Sequence, residues 1–213
     1  MSIKAIIFDL DGVICSTDEY HYAAWKQMAD GIGVYFDREI NNRLRGVSRM
    51  DSLEIILERH SGPAFSRAEK EALAQQKNEI YKNLLTNMTT ADVTDEVRET
   101  LDALRQRGYL MAIGSSSQNA PYILRQIGLG TFFDAVSDGN HITRSKPDPE
   151  VFLNAAQLLC QAPDNCLVVE DAVAGAEAGH RAGMTVACVG DAAKAHAGEY
   201  NLERFSQLLD ILK

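Results

Sequence analysis

The chain has 213 residues, 46% of them hydrophobic, enough for one large domain or for a domain with a smaller companion. Its formal charge of -9 argues against a nucleic-acid partner, because neutralising phosphates takes clustered Lys and Arg that this sequence does not collect. No run approaches the roughly 20 apolar residues of a membrane-spanning helix, and the first twelve residues lack the long apolar stretch of a signal peptide. A cytoplasmic protein with no membrane role is therefore expected. Cys15, Cys160, Cys166 and Cys188 are widely spaced, with no CxxC pair and no histidines at metal-ligand spacing, and are expected to be reduced.

In chain order, the apolar run Ala5-Ile6-Ile7-Phe8 reads as a buried strand, and it ends on Asp9-Leu10-Asp11-Gly12. From residue 18 to residue 88 the pattern is helical throughout, with breaks at Gly31-Ile32-Gly33, near Gly46 and at Ser61-Gly62-Pro63. Strand-like runs return at Leu110–Ile113, Phe133–Val136, Cys166–Val169 and Val186–Val189. Helices are expected between them at 95–107, 119–127, 149–161 and 173–182, with Gly108, Gly128 and Gly183 as stops. Continuous apolar strands alternating with helices predict an α/β fold with a parallel sheet. The separation of the first strand from the others is far longer than an ordinary crossover and predicts an inserted helical cap. The expected division is a core of residues 1–15 and 89–213 and a cap of 16–88, with hinges near Cys15–Thr17 and Asn87–Thr89.

Ligands of parallel α/β sheets bind beyond the carboxyl ends of the strands. There the sequence places Asp9 and Asp11 after the first strand, Ser115-Ser116-Ser117 after the second, Lys146 before the fourth, and Glu170-Asp171 after it. Each has an ordinary explanation as a cap, turn or solvated loop residue. Their joint placement at strand ends does not. Oxygen donors without paired His or Cys suit a hard cation, and Mg2+ is the expected metal. With a lysine and a serine hydroxyl beside it, such a site can balance the charge of a transferring phosphoryl group, one carboxylate acting as nucleophile and the other as general acid/base.

In order and spacing, Asp9-Leu10-Asp11-Gly12-Val13, Ser115, Lys146 and Glu170-Asp171 resemble the four motifs of the haloacid dehalogenase superfamily of phosphoryl-transfer enzymes. The resemblance implies a Rossmann-like core with a mobile helical cap and Asp9 as the nucleophile that forms an aspartyl-phosphate. It further implies Asp11 as general acid/base, Ser115 and Lys146 on the phosphoryl oxygens, and Mg2+ held by Asp9, the Asp11 backbone carbonyl, Glu170 and Asp171.

Over nearly the whole chain, Gly12-Val13-Ile14, Thr17, Glu19-Tyr20-His21, Ala24-Trp25, Leu44 to Arg49, Asp51-Ser52-Leu53 and Lys77-Asn78 are similar to the β-phosphoglucomutase family within that superfamily. That similarity implies interconversion of β-glucose 1-phosphate and glucose 6-phosphate, with β-glucose 1,6-bisphosphate as the activating intermediate. Arg49 would hold the phosphate that is not being transferred. His21 and Lys77 would couple cap closure to Asp11, and Trp25, Gly46, Val47, Ser48, Ser116, Ser117, Gln118 and Asn119 would line the sugar site. A sugar-phosphate phosphatase on the same scaffold is the alternative. A cap that opens and closes favours a monomer.

The sequence departs from the family pattern at Cys15-Ser16, where Thr-Asp is usual, and at Ser115-Ser116-Ser117, where Ser-Ala-Ser is usual. Gln118 replaces a usual Lys, which removes a positive charge near the sugar, and Ala91–Asp95 lacks the usual Pro-Gly. Cys15 lies near Asp9 but has no cysteine-phosphatase loop around it and reads as a small hinge residue. Gly128-Leu129-Gly130 follows a helix and reads as its stop, and the absence of a GxxxxGK[ST] element argues against ATP as phosphate donor.

Overall fold

The computed structural model describes residues 3–44 and 47–212. Two compact units make it up, Met1–Ser16 with Thr89–Lys213, and Thr17–Met88. The first unit carries one six-stranded sheet of β1 (Ala5–Phe8), β2 (Leu110–Gly114), β3 (Ala135–Ser137), β4 (Cys166–Glu170), β5 (Thr185–Cys188) and β6 (Tyr200–Asn201). All neighbours pair in parallel, in the order β3-β2-β1-β4-β5-β6. The five expected strands are present and the α/β fold is as expected. β3 begins two residues later than the apolar run suggests. Phe133 instead turns its ring toward Phe8, with centroids 6.1 Å apart. β6 was not expected, since two exposed residues carry no apolar signal.

The same unit contains helices α5 (Asp95–Gln106), α6 (Ala120–Gln126), α7 (Glu150–Leu158), α8 (Val173–Arg181), α9 (Gly190–Lys194) and α10 (Leu208–Ile211). α5 starts where the Thr94 side chain accepts from Val97 N, and its buried stripe of Val97, Thr100, Leu101 and Leu104 has helical spacing. Residues of α7 and α8, among them Phe152, Ala155, Ala176 and Ala178, pack with Ile7, Val168 and Val186 of the sheet in one apolar cluster. Burial on both faces explains why the strands are continuous apolar runs rather than alternating ones.

Register fixes the site. Phe8 stands opposite Ile113 on one side and Val169 on the other, so the chain leaves β1 at Asp9 level with the ends of β2 and β4. The strand order also reverses there, since β2 and β3 lie on one side of β1 while β4 to β6 lie on the other. In a doubly wound sheet that switch point is where a crevice opens.

The second unit holds α1 (Asp18–Gly31), α2 (Arg38–Asn42), α3 (Arg49–Leu57) and α4 (Arg67–Leu85). Trp25, Met28 and Ala29 of α1, Leu53 and Ile56 of α3, and Ala74 of α4 share its core with Phe36 and Ile40. α4 opens on a capping box in which Ser66 and Glu69 satisfy each other's backbone N–H groups. Its buried face, Ala74, Lys77, Asn78, Tyr81 and Leu85, follows the helical period but includes a lysine. Among the described residues no helix is long and apolar enough to cross a membrane.

Candidate active site

Three adjacent strand ends, those of β2, β1 and β4, build a cluster of polar side chains. Asp9 is buried at the end of β1, where its N–H donates to Val169 O (2.9 Å). Lys146 is buried between two carboxylates, with Nζ 2.6 Å from Asp9 Oδ1 and 2.5 Å from Glu170 Oε1. Glu170 Oε2 accepts from the N–H groups of Asp171 and Ala172, 3.0 Å each, at the start of α8. Asp9, Glu170 and Asp171 each offer a carboxylate oxygen, all within 4.8 Å of one another. Asp11 lies half-buried in the turn after β1, which is closed by Gly12 N donating to Cys15 O (2.7 Å). Gly12 has φ +82, and a Cβ there would stand 2.2 Å from Asp171 Oδ2. Glycine thus supplies the left-handed turn and also lets the Asp171 carboxylate lie against it.

Ser115, buried at the end of β2, donates its N–H to Ser137 O (3.0 Å), and its Oγ accepts from Ser117 N (3.2 Å). The Ser115 hydroxyl keeps its own proton to donate. Ser117 Oγ accepts from Asn119 N (3.2 Å), while the Gln118 carbonyl accepts from Asn140 Nδ2 (3.0 Å). The Ser116 hydroxyl is buried and has no hydrogen-bond partner among the described residues. Asn119 is buried and Gln118 is exposed.

Charge in this cluster does not balance. Burial pushes the Lys146 ammonium toward neutrality, but Asp9 and Glu170 outweigh it and hold the group charged. For Glu170, burial and Asp9 raise proton affinity against the pull of Lys146. The surplus appears at Asp171, whose carboxyl is pushed up to about 8 by burial and by Asp9, Glu170 and Asp11. A buried set of oxygen donors, short of positive charge and without nitrogen or sulfur ligands, fits a hard divalent cation. Cys15 is not a competing nucleophile, since burial, Asp11 and Asp9 all push its thiol up and disfavour the thiolate.

In the cap unit, Lys77 Nζ lies 2.9 Å from His21 Nδ1. It also sits 4.7 Å from the Trp25 ring centroid and 4.5 Å from that of Tyr81, while the His21 and Tyr81 centroids are 4.1 Å apart. Burial, Lys77 and Arg49 together hold His21 well below the usual imidazole range. These influences favour the neutral imidazole. Arg49 is half-buried in the first turn of α3, and Ser48 caps that helix by accepting from Asp51 N (3.2 Å). Trp25 is buried in the cap core and Val47 is exposed. Gly46 lies outside the described residues. Tyr81 was not anticipated, although its position four residues after Lys77 on one helix face would have indicated it.

The sheet order, the acids at the end of β1 and the paired acids at the end of β4 define a known class. A profile of the haloacid dehalogenase-like hydrolases matches residues 3–183, and the chain belongs to that family of enzymes. Among its relatives is the β-phosphoglucomutase of Bacillus subtilis, 41% identical over 189 residues that span 88% of this chain and 84% of the relative. The fructose-1-phosphate phosphatase YqaB of Escherichia coli is 31% identical over 180 residues, 84% of this chain and 92% of its own. A crystal structure of β-phosphoglucomutase from Clostridium difficile superposes with a TM-score of 0.89 at 36% identity, covering 97% of this chain and 93% of that one.

Proposed function

We infer that the chain is a phosphosugar mutase, interconverting β-glucose 1-phosphate and glucose 6-phosphate through β-glucose 1,6-bisphosphate and an aspartyl-phosphate at Asp9. The observation that carries this reading over plain hydrolysis is the cap's own group of cations, Arg49 and Lys77, both felt by His21. A phosphatase needs one phosphate site. A mutase, whose intermediate is phosphorylated at both ends, needs a second, and a guanidinium fork suits it. Similarity to the Bacillus subtilis mutase supports the same reading.

In the chemistry proposed, an Asp9 carboxylate oxygen attacks phosphorus as the bond to the sugar oxygen breaks, and Asp11 gives that oxygen its proton. In the second half, Asp11 takes the proton from the free hydroxyl of an incoming β-glucose 1-phosphate, which attacks the phosphoryl group, re-forms the bisphosphate and returns Asp9 to its carboxylate. Lys146 and the Ser115 hydroxyl bind the phosphoryl oxygens throughout, and Ser116, Ser117, Gln118 and Asn119 contact the sugar from the core. Asp9, the Asp11 carbonyl, Glu170 and Asp171 would hold Mg2+, which when bound neutralises charge on the transferring group.

Two results are expected. Arg49→Ala should lower mutase turnover at least about tenfold more than it lowers hydrolysis of a small aryl phosphate, which has no second phosphate to hold. Equal losses in steady-state assays of both reactions would remove the mutase reading's main support. For the metal, the folded-state Asp171 carboxyl lies above its unfolded value, so stability without metal falls as pH rises from the ordinary carboxylate range to about 8. The gain in Tm on adding Mg2+ should therefore be larger near pH 8 than about two units lower, where a proton competes for the site. A gain independent of pH would argue that Asp171 is not a ligand.

A further inference from the structure

Glycine is the least favourable non-proline residue in a helix, yet Gly175 occupies the third position of α8 with ordinary helical backbone and a buried environment. Its neighbour explains the choice. A Cβ at Gly175 would stand 1.9 Å from Glu170 Oε1 and 2.0 Å from Glu170 Cδ, so the carboxylate of Glu170 fills the space a side chain at 175 would need. That carboxylate cannot swing aside cheaply, because Lys146 Nζ holds Oε1 at 2.5 Å and the N–H groups of Asp171 and Ala172 hold Oε2 at 3.0 Å. The chain at 170–175 thus turns back on itself with the acid folded into the first turn of α8.

We propose that Gly175 is a positioning residue for the acidic cluster: the missing Cβ lets Glu170 dock on the α8 backbone, which aims Oε1 at Lys146 and keeps Glu170, Asp9 and Asp171 converged. This rests on the reading of that cluster as a metal site. A second glycine of the same helix provides the contrast. Gly179 is also crowded, a Cβ there lying 2.7 Å from Val186 Cγ2 and 3.3 Å from Val168 Cβ, but it meets only apolar side chains. Gly179 serves helix-to-sheet packing, whereas Gly175 serves a carboxylate.

The test is Mn2+ affinity, read by electron paramagnetic resonance on the full chain without substrate. Gly175→Ala should weaken binding about tenfold or more, while Gly179→Ala should lower Tm and leave affinity within about twofold. Shortening the acid by one methylene, about 1.5 Å, makes room for the new Cβ. The double variant Glu170→Asp with Gly175→Ala should therefore bind within about twofold of Glu170→Asp alone, and this comparison holds even if the single Gly175→Ala chain does not fold. Equal Mn2+ affinity in Gly175→Ala and the unmodified protein would overturn the inference alone, as would a further tenfold loss in the double variant or an equal loss in Gly179→Ala. No Mn2+ binding by the unmodified protein would overturn the metal reading and the inference with it.

Discussion

Asp9→Asn is expected to abolish the phosphoenzyme and to lower turnover roughly 10⁴-fold or more, the scale of loss when a covalent nucleophile is removed. Asparagine keeps the size of the side chain and can still accept from Lys146, whose Nζ lies 2.6 Å from Asp9 Oδ1, so the fold should survive. Its amide oxygen is too weak a nucleophile to form the bond to phosphorus. The check is the mass of the acid-quenched protein after exposure to sugar bisphosphate, one phosphoryl group heavier in the parent and unchanged in the variant. Full turnover by Asp9→Asn, or a phosphoryl group on another residue, would take the nucleophile's role from Asp9.

Lys146→Met should cost more than activity. Lys146 is the buried cation facing Asp9 and Glu170 in a cluster that also contains Asp171. Methionine retains much of the stem against the Phe152 ring, which Nζ approaches to 4.7 Å, but leaves two buried carboxylates without their partner. Breaking a buried pair in this way costs about 3–5 kcal/mol. In the variant Glu170, already pushed up by burial and Asp9, loses the opposing pull of Lys146, so the deficit grows as pH rises, and acid should partly relieve it. Thermal unfolding in a chelator across pH would show this. A Tm deficit that is absent, or that shrinks as pH rises, would mean that Lys146 does not balance the cluster. Turnover should fall together with stability, because Lys146 is also assigned to the phosphoryl oxygens.

The core site was readable because its strands were. Runs such as Ala5–Phe8 and Cys166–Val169 are buried on both faces, so they stand out as unbroken apolar segments, and the residue that follows each is placed by register alone. The two exposed residues of β6 left no such mark. The cap was harder to read. Arg49 and His21 lie on helices whose pattern permits solvated positions, and only resemblance singled them out. Lys77 left a physical trace, falling on the buried stripe with Ala74, Tyr81 and Leu85 where the helical period calls for an apolar residue. The role of Gly175 was invisible in sequence because it depends on where Glu170 folds, which no periodicity encodes.

The central claim is that the aspartyl-phosphate is passed to a sugar rather than to water. The direct measurement supplies β-glucose 1-phosphate, Mg2+ and a trace of glucose 1,6-bisphosphate, and follows glucose 6-phosphate and inorganic phosphate in one reaction. Glucose 6-phosphate accumulating with little free phosphate is the expected result, and release of phosphate without glucose 6-phosphate would contradict it.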